Sequence, residues 1–188
     1  MIHLKNIRII SFALLLLLSG CLSPDRAPGD FVQTTDFHLL QSYKVGEVHL
    51  SGMDWTESSG ASLSQYTLFK LNAEMEKRGF ARSETNADFI IRTEWKKSLK
   101  VAFRQADGFD NIPELRGYNR DEDRPRVMCS LVVELYDPKE DRIFWRSSIP
   151  NCVEILNLRE VIISDVIERA LISFPERIEL DPNLKTIQ

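Results

Sequence analysis

The sequence predicts an α+β fold: a two-layer sandwich in which a mainly antiparallel sheet carries two helices on one face. Three observations lead to this prediction. Two stretches with apolar residues at helical spacing flank several stretches in which apolar and polar residues alternate, the period of a half-buried strand. A tight turn at 137–141 joins two alternating stretches into an antiparallel hairpin. Consecutive strands between two helices are typical of a sheet whose helices lie on one side.

Residues 1–20 have the composition of an export signal. Two basic residues precede an apolar run at 9–18, and small residues follow. The run is too short for a membrane-spanning helix, which needs about 20 apolar residues. Residues 18–21, Leu-Ser-Gly-Cys, resemble the lipobox of bacterial lipoproteins, and the resemblance implies cleavage before Cys21 and a lipid on its sulfur. The alternative is an ordinary secreted protein with a chance cysteine at the cleavage point.

A lipid on Cys21 implies attachment to a membrane through a covalent anchor, without a spanning helix. Each buried methylene contributes about 0.8 kcal/mol, so the two or three chains of a mature lipoprotein hold it firmly. Leu22 stands where aspartate is the usual signal for retention in the inner membrane. In a host with two membranes, we therefore expect the periplasmic face of the outer membrane.

Composition and the positions of proline and glycine divide the rest of the chain into segments. Residues 21–36 contain two prolines and a glycine without periodicity and are interpreted as the acylated cysteine and a tether, with Phe31 and Val32 as candidates for docking on the domain. A single domain is expected at 37–176 and a polar tail at 177–188. The net charge of −4 disfavours a nucleic-acid surface, and no cofactor is expected.

The first helix is predicted to start at a capping box formed by Ser62 and Gln65, and to stop at Gly79. A weaker strand pattern at 37–55 precedes this helix. The helix has two candidate buried stripes, which consist of Tyr66, Phe69 and Ala73 and of Leu68, Leu71 and Met75. Its face towards the sheet is therefore expected to be broad.

Three later stretches complete the predicted sheet. Phe89, Ile91, Thr93 and Trp95 alternate with polar residues, whereas Val127, Cys129, Leu131, Val133 and Leu135 form an unbroken apolar face. Ile143, Trp145 and Ile149 continue that face on the return strand. The second helix is expected after a cap formed by Asn157 and Glu160, with Val161, Ile162, Val166, Ala170, Leu171 and Phe174 as its apolar stripe.

Two cysteines remain after the anchor, in a compartment where a disulfide is permitted. If odd-numbered residues face each other across the hairpin, Cys152 lies on the opposite face from Cys129, which argues against a bridge. A break in the register at Pro150 would remove that objection.

The stretch 105–125 is a long irregular loop, which in compact domains is usually functional or disordered. It carries apolar residues among arginines, a composition that suits an interface. The candidate partner-binding residues are Phe109, Ile112, Leu115 and Tyr118. The alternative is that these side chains fold back over the end of the sheet.

Several short motifs together resemble the bacterial lipoproteins of the domain of unknown function 4136 family. They are Arg-Gly-Phe at 78–80, Ala-Asp-Phe-Ile-Ile at 87–91, the hairpin 131–146 with Phe144-Trp145-Arg146, and the stretch 170–175. The resemblance covers 63–175 and implies an envelope location without known catalytic residues. The first strand departs from the usual pattern of that family.

The chain offers weak candidates for catalysis or metal binding. His38 and His49 lack the neighbouring ligands of a metal site, and the acidic run at 121–123 is flanked by arginines. Trp95 and Trp145 fit a core better than a ligand shelf. The sequence therefore favours a non-enzymatic, partner-binding or structural role for an envelope protein. The alternatives are a periplasmic hydrolase or small-ligand carrier with a site under the 105–125 loop, and an accessory subunit of a transport machine.

Overall fold

The computed structural model describes residues 29–100 and 125–178, and within these residues the chain forms an open six-stranded sheet and two α-helices. The strands are β1 (Gly29–Phe31), β2 (Ser42–Gly52), β3 (Ala81–Arg82), β4 (Phe89–Lys100), β5 (Arg126–Asp137) and β6 (Arg142–Glu154). The helices are α1 (Glu57–Lys77) and α2 (Glu160–Ala170). The strand order is β1-β6-β5-β4-β2-β3. The predicted α+β architecture is confirmed.

Pairing within the sheet follows the expected hairpins and one crossover. Strand β5 pairs antiparallel with both β4 and β6, whereas β2 runs parallel to β4, with α1 and the short strand β3 between them in the chain. Strand β1 pairs antiparallel with residues 145–147 of β6. The domain therefore includes Gly29 and does not begin at 37, and residues 29–31 belong to the sheet and not to the tether predicted at 21–36.

The other end of the domain also extends past its predicted limit. The Arg177 N–H donates to the Arg78 carbonyl oxygen at 2.8 Å, and one Arg177 guanidinium nitrogen donates to the Gln41 side-chain oxygen at 2.6 Å. The beginning of the tail predicted at 177–188 is thus bound to the domain, and residues 179–188 lie outside the described residues.

Helix α1 ends where the sequence predicts but begins earlier. Gly79 has φ +85°, the left-handed conformation that ends a helix. The helix begins at Glu57, because the Thr56 hydroxyl caps it by accepting from the Ser59 N–H at 3.4 Å. The prediction that Ser62 caps this helix is therefore wrong, and Ser62 lies within the helix.

The buried stripe of α1 differs from one of the two predicted stripes. Its buried residues are Gly60, Leu63, Thr67, Leu71, Glu74 and Met75. Leu71 and Met75 are buried as predicted, but Phe69 is 67 % exposed and Ala73 is also exposed. The buried face of α1 is rotated around the helix relative to the predicted stripe, because α2 packs on one side of α1 and the sheet on the other.

A bulge changes which residues of β6 reach the core. Leu135 pairs with Trp145 but Tyr136 pairs with Ile143, so one extra residue is accommodated on β6. Phe144 and Trp145 are consecutive and both fully buried, whereas Ile143 is half-buried. The prediction that Ile143 belongs to the core face is therefore corrected, and Phe144 takes that place.

Helix α2 also starts without the predicted cap. Its N-cap residue is Arg159, which makes no side-chain capping hydrogen bond, so the capping role predicted for Asn157 is wrong. Val161 of the predicted stripe is 71 % exposed, whereas Leu171 and Phe174 are buried after the helix has ended. Phe174 packs against Phe80 and Trp145 with ring centroids 5.7 and 5.4 Å away, so this segment closes the core between the helices and the sheet.

Candidate functional site

Among residues 29–100 and 125–178, both helices pack on one face of the sheet, and no other helix or strand covers the opposite face. The residues that point into the core, such as Ile91, Trp95 and Leu131, alternate with residues that point away from it. We define the open face as the central outward-pointing residues of β2, β4, β5 and β6. They are Glu47, His49, Arg92, Glu94, Val132, Glu134, Tyr136 and Arg146.

The charged groups of the open face contact one another across the strands. An Arg146 guanidinium nitrogen lies 2.9 Å from a Glu134 carboxylate oxygen, and these two residues are directly paired in the sheet. The Arg92 guanidinium carbon lies 3.5 Å from the centre of the Tyr136 ring, a cation–π contact. Each of these two arginines, on β4 and β6, therefore has a partner on a neighbouring strand.

Two hydroxyl groups extend this network at its borders. The Ser51 hydroxyl donates to a Glu94 carboxylate oxygen at 2.6 Å, which ties β2 to β4. The Tyr136 hydroxyl donates to the Asp141 carboxylate, and this bond raises the pKa of Tyr136. The open face is therefore an ordered set of opposite charges and hydroxyls.

A shallow cavity of about 260 Å³ lies at the centre of the open face. It is lined by the acidic residues Glu47, Glu94 and Glu134 together with His49, Arg92, Thr93 and Val132. No group of three or more His, Cys, Asp or Glu residues within 29–100 and 125–178 is arranged to hold a metal ion. The glutamates of this cavity can accept hydrogen bonds from basic groups of a partner, and Arg92 beside them can bind acidic groups.

A second cavity, of about 390 Å³, lies beside the first one. It is lined on one side by Val48, Leu50 and Trp55. On the other side it is lined by the small residues Gly60, Ala61 and Ser64 of α1, and we call it the β2 groove. Glu47 and His49 border both cavities, so the open face and the β2 groove form one continuous surface.

The structure places some of the predicted site residues and not others. Cys21 and the candidate partner-binding residues Phe109, Ile112, Leu115 and Tyr118 lie outside the described residues, so their roles stay predictions. Trp95 and Trp145 are fully buried and belong to the core. His49 lies exposed on β2 at the open face, a position that the sequence pattern alone did not connect with the arginines.

Cys129 and Cys152 are both free thiols in the structure. A bulge at 150–152, where Asn151 has φ +48°, interrupts the pairing of β5 with β6 and brings Cys152 against the core. The Cys152 thiol then donates to the Cys129 carbonyl oxygen at 3.2 Å, so the objection that they occupy opposite faces does not hold. Burial raises the pKa of each thiol to about 11, which disfavours thiolate chemistry at neutral pH.

The open face could be anticipated in part from the alternation of the strands. Arg92 and Glu94 stand at every second position of β4, as Glu134 and Tyr136 do on β5. Their spacing identifies outward-pointing side chains, but the contacts between them depend on the register of neighbouring strands. The sequence alone therefore does not single out these residues as a site.

No helix within the described ranges is both long and apolar enough to cross a membrane.

Comparison with solved structures gives distant neighbours. The PelC dodecamer of Paraburkholderia phytofirmans is 12 % identical, with 76 % of this chain and 93 % of that chain covered and a TM-score of 0.43. A putative neuraminyllactose-binding hemagglutinin homolog from Helicobacter pylori is 11 % identical, with 75 % and 86 % covered and a TM-score of 0.38.

A third neighbour is itself described as a DUF4136 family protein and comes from Bacteroides thetaiotaomicron. It is 12 % identical, with 75 % of this chain and 91 % of that chain covered and a TM-score of 0.45. The chain matches none of the curated proteins. The family model described as "Domain of unknown function (DUF4136)" matches residues 29–176, which includes nearly all of the described fold. The chain therefore belongs to the DUF4136 family.

Proposed function

We propose that this protein is a lipid-anchored lipoprotein of the bacterial envelope that binds another envelope component and catalyses no reaction. The observation that carries the proposal is the open face, where Arg92 contacts Tyr136 and Arg146 contacts Glu134. Arginine and tyrosine are enriched in protein interfaces. This surface suits recognition of a partner with charges of both signs.

The anchor supports the same proposal. A lipid on Cys21 would hold the domain at the periplasmic face of the outer membrane, where its partner is confined to the same thin compartment. Confinement raises the effective concentration of two binding surfaces, so a contact of modest affinity becomes sufficient. The candidate residues Phe109, Ile112, Leu115 and Tyr118 would add apolar contacts to the charged ones.

Site-specific photocrosslinking in intact cells tests the binding role. A photoreactive amino acid is placed at His49 on the open face and, as the control, at Phe69, which is 67 % exposed on α1 on the other side of the molecule. We expect a discrete crosslinked product from position 49 and none from position 69. Arg92→Glu should remove that product without lowering the amount of protein. Crosslinks of equal strength from both positions, or none from 49, would contradict the proposal.

The anchor has its own test. Cys21→Ala is expected to give a product that is either uncleaved or released from the membrane, whereas the unaltered protein should fractionate with the outer membrane and carry the mass of a diacylglyceryl group and a fatty acid. Mass spectrometry of the purified protein and detergent phase partitioning measure both properties. If Cys21→Ala leaves mass and partitioning unchanged, the proposed anchor is wrong.

A further inference from the structure

We infer that the free edge of β2 binds an extended peptide as an added strand, with apolar side chains facing the β2 groove and basic side chains facing Glu47 and Glu94. The inference rests on the proposed function, because it specifies the kind of segment that the partner presents. An unpaired strand edge offers backbone donors and acceptors in a row, which is the chemistry that recognises another peptide backbone.

The edge is available because β3 is much shorter than β2. Strand β3 pairs with Ser42 and Tyr43, whereas β2 continues to Gly52. Among residues 29–100 and 125–178, no strand pairs with this edge beyond Tyr43. The edge is thus open from Lys44 to Gly52 within the part of the chain that the structure describes.

The direction of the backbone groups follows from the side chains. Tyr43 points into the core, and its carbonyl oxygen accepts from the Ser83 N–H on the β3 side at 2.8 Å. In a strand of fixed direction, residues whose side chains share a face also send their N–H and C=O groups to the same edge. Val48 and Leu50 also pack into the core, so their backbone groups point to the open edge.

The β2 groove provides room for the side chains of the added strand. Gly60 allows α1 to approach β2 closely, since a Cβ atom there would lie 2.9 Å from the Leu50 Cδ1 atom. Ala61 and Ser64 continue the helix wall with small side chains, and Trp55 closes one end. An apolar side chain on the added strand would contact Val48 and Leu50 below this wall.

The opposite side of the added strand would face carboxylates. Glu47 is exposed at the edge itself, and Glu94 lies one strand further in. A peptide with lysine or arginine at alternate positions therefore complements this surface in charge and in period.

The other long strand at the border of the sheet is protected by its sequence. Strand β6 extends past its pairing with β1, but that extension contains Pro150 and the positive-φ residue Asn151. A proline, above all beside a bulge, is among the features that discourage strand addition at natural edges. Strand β2 has a bulge at 46–47 and no proline, and Val48 to Gly52 follow in regular pairing with β4.

The experiment uses the purified full-length protein in detergent micelles and a fluorescent peptide of alternating valine and lysine, about as long as β2. Two isomers carry N-methyl groups on all valines or on all lysines, so their charge and composition are identical. Fluorescence anisotropy should show that one isomer binds like the parent peptide and the other at least about tenfold more weakly, since only one set of N–H groups faces β2. Equal affinities of the isomers, or no binding of the parent peptide, would overturn the inference.

A pair of matched variants locates the peptide. Ala61→Arg fills the β2 groove and should weaken parent-peptide binding by about tenfold, whereas Ala73→Arg, also exposed on α1, should change it less than about twofold. Equal effects of the two variants would place the peptide elsewhere and overturn the inference. The two proposals can fail separately. If the peptide does not bind but crosslinking from position 49 persists, only the inference about β2 is wrong. If the peptide binds but crosslinking from position 49 is lost, only the proposed function is wrong.

Discussion

The two faces of this sheet are made by the same strands, but they differ in almost every physical property. The covered face buries Phe89, Trp95 and Trp145 completely beneath two helices. The open face carries Arg92, Glu94 and Arg146 at the alternate positions, in contact with water. Each strand therefore contributes one residue to stability and the next residue to a surface that stability does not require.

The difference is clearest in the ion pairs on the two sides. Glu74 of α1 is 2 % exposed and is paired with Lys70, at 2.9 Å, and with Arg78. The Arg78 guanidinium also donates to the Leu171 and Phe174 carbonyl oxygens, so it joins the end of α1 to the segment after α2. The Glu134–Arg146 pair on the open face is less buried, and among the described residues Arg146 has no additional backbone acceptors of this kind.

Removing a large side chain from the covered face should have the greatest effect. Trp95 is fully buried, and its indole N–H donates to the Thr67 hydroxyl at 3.0 Å. Trp95→Ala is expected to lower the free energy of unfolding by about 4 kcal/mol, because it leaves a cavity and breaks this bond. Lys96→Ala, one residue further on the open side, should change it by less than about 0.5 kcal/mol. Urea denaturation measures both, and similar losses would contradict the division between the faces.

The buried ion pair should come next. Glu74→Ala is expected to cost about 3 kcal/mol, because Lys70 and Arg78 lose their carboxylate partner in a largely buried site. Glu76→Ala on the exposed side of the same helix is the control and should cost less than about 0.5 kcal/mol. If both variants unfold at the same urea concentration, the pair does not stabilise the domain.

Acid should expose the same contribution. Burial alone would raise the pKa of Glu74, but the hydrogen bonds and charges of Arg78 and Lys70 outweigh it and lower the pKa below its usual value. The same balance lowers the pKa of Asp88, where Lys139 and hydrogen bonds from Gln41 and Ser42 outweigh burial. This stability is complete above the unfolded-state pKa, near 4, and is lost as the pH falls through the folded-state pKa.

The expected result is a drop in the midpoint of thermal unfolding as the pH is lowered from about 5 to 3, with a smaller drop for Glu74→Gln, which cannot take up the proton. Circular dichroism at a series of pH values measures the midpoints. A variant as sensitive to acid as the unaltered protein would exclude Glu74 as a source of the pH dependence.

The exposed pair should have the smallest effect on folding. Arg146→Ala is expected to change the free energy of unfolding by less than about 1 kcal/mol, because a solvent-exposed salt bridge gains little over hydration. The same variant should nevertheless weaken photocrosslinking from position 49 if the open face binds a partner. A large loss of stability together with unchanged crosslinking would reverse the roles assigned to the two faces.

Regular periodicity made part of this fold predictable. The alternation of Phe89, Ile91, Thr93 and Trp95 identified β4 and its buried side, and Gly79 identified the end of α1. The irregular features were not predictable in the same way. One extra residue in β6 places Phe144 in the core instead of Ile143. The composition of the strand does not reveal such a bulge. Phe69 and Val161 lie on helical stripes, but the stripe alone does not say which side of the helix is covered.

The candidate site was less accessible for a related reason. The sequence places Glu134 and Arg146 on different strands, and only the register of β5 with β6 brings them to the same pair. The capping of α1 by Thr56 in place of Ser62 also matters here, because the additional first turns of the helix carry Gly60 and Ala61, which line the β2 groove. Thr56 and Ser62 are both suitable N-cap residues, and tertiary contacts determine which of them caps the helix.

If Cys21 carries the proposed lipid, the early entry of the chain into the sheet at Gly29 would limit how far the domain stands from a bilayer. Between Cys21 and Gly29 a fully extended backbone spans at most about 28 Å, and a relaxed one considerably less. The tether would end on β1, at one border of the sheet. Strand β2 lies four strand spacings from β1, a distance of about 20 Å. A protein tied to lipid in this way would be attached at the β1 border, and the unpaired backbone of β2 would lie at the side of the sheet away from the attachment point.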